Sequence, residues 1–129
     1  MTRINVVPVR ELHDKHLLAE YRELPRVFGA AKKWHERGGD VADLPTTYRL
    51  GKGHVLFFYN HLLFCFNRQF ALYGECIERG YNVKYDPAKA RDGFLDAPEH
   101  LFNDYKPTRE ALRLNRERIA DRLATMRKP

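Results

Sequence analysis

Three groups of residues in this chain could carry chemistry. Thr2 follows Met1, and a small second residue normally allows the initiator Met to be removed. The threonine α-amino group then exposed has an ordinary pKa of about 7.7–8.0, so it is substantially uncharged at neutral pH and can act as a nucleophile with little tuning. His16, Glu20 and Glu23 form the second group. On a helix turning about 100° per residue they fall, with Val27, within about 60° of one another, while Arg22 and Arg26 occupy the neighbouring arc. Carboxylates bordered by guanidinium groups suit charge stabilisation or proton transfer. They suit equally the ordinary ion pairing of a wet helix, worth a few tenths of a kcal/mol per pair. The third group is His13, His16 and Glu20, a conceivable metal trio. Its spacing matches no structural or catalytic zinc pattern well and no Cys stands close by. A nucleophile–His–acid arrangement lacks its parts: the chain has no Ser, and neither Cys has a neighbouring His. Gly51-Lys52-Gly53-His54 is a turn, without the spacing or the Lys-Ser/Thr ending of a phosphate loop.

Positioning these groups falls to helices. Leu17, Leu18, Tyr21, Leu24, Phe28 and Ala31 recur at three- and four-residue spacings, which predicts a first helix from about Asp14, its N-cap, to Arg37, where Gly38-Gly39 stops it. Pro25 lies inside that pattern; it removes a backbone donor and crowds the carbonyl of Tyr21, so a kink is expected. A second helix is expected from about Asn60 to Arg79, with Leu62, Leu63, Phe66, Phe70, Tyr73 and Ile77 as its buried stripe and Gly80 at C′. A third follows Pro107, with Thr108 as N-cap, Glu110 in the first turn and Leu112, Ile119, Leu123 and Met126 inward. Residues 38–53 and 81–107, rich in Gly, Pro, Asp and Asn, read as loops. Residues 3–8 alternate weakly, but a lone strand has nothing to pair with. The fold class is therefore all-α: one domain, residues 1–129, of three main helices with long connecting loops and an extended N-terminal segment.

At 129 residues, 43 % hydrophobic and 31 % charged, the chain has the size and polar coat of one globular domain rather than a disordered tail. Apolar runs such as Val55-Leu56-Phe57-Phe58-Tyr59 are far shorter than the roughly 20 residues of a membrane span. No secretory signal is visible, and a cytoplasmic protein is expected. Cys65 and Cys76 share a helix face but stand roughly 16 Å apart along its axis, too far for a disulfide; buried free thiols are expected. The net charge of +6 is uneven: residues 106–129 carry eight basic and three acidic side chains, residues 1–37 eight and five, and residues 85–104 two and five. A basic face built from both ends of the chain would attract a polyanion through counterion release.

Longer motifs narrow the field. Thr2-Arg3-Ile4-Asn5, His16-Leu17 and the block Ala19-Glu20-Tyr21-Arg22-Glu23-Leu24-Pro25-Arg26-Val27-Phe28-Gly29-Ala30 closely resemble the phage-type pyrimidine-dimer DNA glycosylase and abasic-site lyase family, the endonuclease V of the pyrimidine-dimer type. The likeness continues through Leu50-Gly51, Gly53-His54-Val55, Phe57-Phe58-Tyr59, Arg68-Gln69, Glu75-Cys76 and Arg79-Gly80, and more loosely over Asp104-Tyr105 and Pro107 into the last helix. The resemblance implies a base-excision repair enzyme, a monomer without cofactor, that acts on double-stranded DNA containing pyrimidine dimers or abasic sites in a bacterial or viral setting. It implies that the Thr2 amine attacks C1′ and that Glu23 is the catalytic carboxylate. Arg3, His16, Arg22 and Arg26 match residues that engage phosphates or the surroundings of the lesion; Arg118 and Arg122 keep the positive charge of the family's Arg and Lys. Family members often end in an aromatic-rich tail, whereas here no aromatic follows Tyr105, leaving Trp34, Tyr48 or Phe102 to stack on a lesion. Three alternatives stay open: a non-catalytic basic helical module that binds nucleic acid, a glycosylase/lyase for another base lesion, and a metal-dependent nuclease using His13, His16 and Glu20.

Overall fold

A computed structural model of the chain describes residues 4–84, 93 and 95–126. Among them the regular structure is entirely helical: α1 (Asp14–Glu23), α2 (Arg26–Glu36), α3 (His54–Phe58), α4 (Leu62–Glu78) and α5 (Arg109–Met126), with 3-10 turns at Val9–Glu11, Val41–Asp43 and Glu99–Leu101. The all-α expectation holds. Residues 4–7 are buried and form no strand.

Pro25 divides the expected first helix into α1 and α2. Proline cannot donate to the carbonyl four residues back, so the Tyr21 carbonyl needs another partner, and Gln69 Nε2 of α4 donates to it at 3.1 Å. The α1 N-cap is His13 rather than Asp14: its ring Nδ1 accepts from Lys15 N–H at 3.1 Å. Gly38-Gly39 and Gly80 end α2 and α4 as expected. At the second of these, Gly80 has φ 84°; its N–H donates to Ile77 O and that of Tyr81 to Cys76 O, both at 2.9 Å, closing a Schellman turn. Thr108 caps α5, its Oγ1 accepting from Ala111 N–H at 3.0 Å.

α3 was not expected. Five residues are too few to show a period, yet the run from Val55 to Tyr59 becomes a helical turn with Phe57 and Phe58 fully buried. Gly53, at φ 87°, starts it. Tyr48, His54, Phe58 and Phe57 meet edge to face around it, and Phe57, His61 and Tyr105 extend the cluster. Tyr48 is thus a core residue, and Trp34 lies half-buried against Tyr59. Neither is an open stacking platform; Phe102 is half-buried as well.

α4 is the central element, touched by α1, α2 and the Val9–Glu11 turn. Its core face is Leu62, Cys65, Arg68, Gln69, Leu72 and Cys76. Of the stripe expected from apolar spacing only Leu62 is buried; Leu63, Phe66 and Tyr73 are half-buried, and Phe70 and Ile77 are exposed. The helix is rotated relative to that expectation because Arg68 and Gln69 have polar partners inside. Both cysteines are buried free thiols, and burial pushes each above the ordinary thiol pKa. α5 likewise buries Ala111 and Asn115, with Leu112, Ile119 and Leu123 half-buried and Met126 exposed. It is fastened to the rest through Asn115 and Arg116, both of which bond to the first eleven residues. No helix among the described residues is long and apolar enough to cross a membrane.

Candidate active site

A cleft of about 260 Å³ opens between α1, α5 and the N-terminal segment, lined by Asn5, His16, Ala19, Glu20, Glu23, Arg118, Ile119 and Arg122. Five of the residues singled out in the sequence therefore meet: His16, Glu20 and Glu23 from one face of α1, Arg118 and Arg122 from successive turns of α5. Thr2 and Arg3 lie outside the described residues. Arg22 and Arg26 are exposed and do not line the cleft.

The two carboxylates of the α1 face differ completely. Glu20, expected to share a wet surface with Glu23, is 2 % exposed. Both its oxygens are bonded to Arg68, through Nε and Nη2, and Oε1 also accepts from Asn5 Nδ2 at 2.7 Å. Arg68 spends its remaining reach on the Val7 carbonyl at 2.8 Å. This engagement also occupies the carboxylate of the His13–His16–Glu20 trio, and no metal-binding group of three occurs among the described residues. Glu23 is half-buried at the cleft wall. Among the described residues it makes no ion pair, with Arg22, Arg26 or any other cation. The simple ion-pair reading of the α1 face fails for both residues, in opposite ways.

The N-terminal segment reaches the cleft because four buried polar side chains hold it. Ile4 N–H donates to His54 Nε2 at 2.9 Å, and His54 Nδ1 lies 2.8 Å from the Arg49 carbonyl, to which it must donate when Nε2 accepts. Val6 and Val7 N–H both donate to Asn115 Oδ1, at 2.7 and 3.1 Å. Asn115 Nδ2 donates to Asn5 Oδ1 at 2.8 Å, and Glu20 takes the other end of Asn5. A buried segment without strand neighbours has thus found side-chain acceptors for the N–H groups of Ile4, Val6 and Val7.

Asn5, His54, Arg68 and Asn115 were not expected as parts of the site. For two of them the sequence does hold a signal. Arg68 falls at helical spacing among Leu62, Cys65 and Leu72, and Asn115 falls between Leu112 and Ile119. A polar residue interrupting an apolar stripe has to be satisfied inside the fold.

A cleft holding a carboxylate without an ion pair among the described residues, a half-buried histidine and two arginines can bind a phosphodiester strand and stabilise positive charge developing next to Glu23. Comparison with known families bears on the same residues: the family model described as Pyrimidine dimer DNA glycosylase matches residues 1–87. That span includes Glu23, His16, Arg68 and the anchored N-terminal segment. It is two thirds of the chain, and the chain belongs to the pyrimidine dimer DNA glycosylase family.

Proposed function

We propose that this DNA repair glycosylase excises cyclobutane pyrimidine dimers through the α-amino group of Thr2, released by removal of Met1, and then cleaves the strand as an abasic-site lyase. The Thr2 nitrogen bonds to C1′ as the glycosidic bond breaks, its electron pair leaving with the base. Ring opening gives an imine whose positive nitrogen acidifies the C2′ proton. Loss of that proton forms a C2′–C3′ double bond and expels the 3′ phosphate, a β-elimination. Glu23 is the carboxylate beside this chemistry, stabilising the cation and assisting proton transfer. His16, Arg118 and Arg122 line the strand's path, with Arg3, Arg22 and Arg26 as further phosphate or lesion contacts. The base must leave the stack for C1′ to be reached.

The observation that carries this reading is the anchoring of residues 4–7 at the wall of the cleft that holds Glu23. Two residues extend at most about 7 Å, so a Thr2 amine cannot stray far from the anchored Ile4 N–H. The experiment is borohydride trapping on dimer-containing and abasic duplexes, followed by peptide mapping. An adduct on Thr2, abolished by retained Met1 or by acetylation of the amine, is expected. An adduct on a lysine side chain would overturn the assignment.

A further inference from the structure

Asn115 stands in the middle of α5, outside the span matched by the family model, and is fully buried. An asparagine there favours neither the helix nor an apolar core: it ranks below Ala and Leu as a helix former, and a buried amide is costly unless both its ends are bonded. Both ends are bonded, and all three bonds go to the N-terminal segment. The oxygen accepts from Val6 and Val7 N–H; the nitrogen donates to Asn5 Oδ1. Asn115 is therefore a bracket between α5 and the few residues that lead to Thr2. Arg118 and Arg122 project into the cleft from one and two turns further along the same helix.

We propose that Asn115 is a positioning residue that sets the reach of the N-terminal amine into the cleft, in register with the arginines of α5. The inference rests on the function proposed above. It follows from geometry: a shift of 1 Å in a group poised for attack can cost about 100-fold in rate, and Asn115 alone fixes two successive N–H groups of the segment that carries the nucleophile.

Single-turnover imine formation, read by borohydride trapping, is measured beside equilibrium binding to the same dimer duplex and a thermal melt. Asn115→Ala is expected to fold, to bind within about twofold of wild type because no phosphate contact is removed, and to trap roughly 10–100-fold more slowly. Asn115→Asp retains an oxygen for both N–H groups but turns a second acceptor toward Asn5 Oδ1 and buries a charge, so per folded molecule it should trap faster than Asn115→Ala while melting below wild type. Should Asn115→Ala fail to fold, Asn115→Ser takes its place with the same readings. A trapping rate per folded molecule equal to wild type overturns the positioning role, as does an equal loss in the Ala and Asp variants. A wild-type protein that gives no adduct on Thr2 overturns the proposed function itself, a separate result.

Discussion

Four of the five arginines of α5 divide into two pairs. Arg113 is bonded to Glu110 and Glu117, and Arg116 to Glu11 across the gap to the N-terminal segment, at 2.9 Å. Arg118 and Arg122, on the same helix, line the cleft and have no carboxylate partner among the described residues. The carboxylates divide the same way: Glu20 is sealed against Arg68, and one turn later Glu23 has no ion pair among the described residues. The composition counts all of these alike, as charge on a basic protein. The structure separates charges that hold the fold from charges left available to a ligand, and it brings three of the second kind, Glu23, Arg118 and Arg122, to one cleft.

That division can be broken most forcefully at its buried end. Glu20→Gln keeps the shape of the side chain but leaves Arg68 without an anion in the interior. Removing one partner of a buried pair costs about 3–5 kcal/mol, a large share of the 5–15 kcal/mol typical of a domain. Urea unfolding should show the loss. A midpoint equal to that of the unmodified protein would mean that Glu20 is not a structural charge.

Glu23→Gln tests the unpaired carboxylate and should do the reverse. Stability should hold, since no ion pair is removed. Under the proposed mechanism single-turnover cleavage should slow by roughly 100-fold or more. Binding should survive, and tighten if anything, because a negative charge facing DNA is lost. Nearly intact cleavage would remove Glu23 from the chemistry and leave the cleft as a binding surface.

Much of this arrangement is legible in the sequence, and the illegible part has a physical cause. Amphipathic spacing and Gly caps gave the course of the helices, because apolar period and positive-φ turns are local properties. Pro25 announced the break between α1 and α2. Rotation about the α4 axis was misjudged: Phe66, Phe70 and Ile77 looked buried by type, while Arg68 and Gln69 went inside for partners that come from α1 and residue 7. Glu20 was misjudged for the same reason. Its guanidinium partner lies 48 residues away, beyond any local pattern. The α3 turn was too short to show a period at all.

The two cleft arginines of α5 can be measured through salt. Each phosphate contact contributes about 0.9 to the slope of log K against log salt on duplex DNA, so replacing Arg118 and Arg122 together with Ala should lower it by nearly two. Damaged and undamaged duplexes should weaken alike, because phosphate contacts carry no base information. An unchanged slope would place both arginines off the DNA face.

The smallest effect belongs to the paired set, and it sharpens the comparison most. The Arg116 guanidinium bonded to Glu11 holds that carboxyl below its usual pKa, and Arg113 does the same for Glu110. A lowered carboxylate pKa means that the pairs are complete above the ordinary glutamate range and are lost only as pH falls through the lowered values. At neutral pH both arginines are therefore already neutralised by protein carboxylates. They release few counterions when DNA arrives. Replacing Arg113 and Arg116 together with Ala removes the same formal charge as the Arg118–Arg122 double substitution, from the same helix, yet should leave the salt slope of binding essentially unchanged at pH 7. Stability should fall only slightly, as is usual for exposed pairs. If the two double variants shift the slope equally, net charge alone governs binding and the distinction between paired and unpaired arginines collapses.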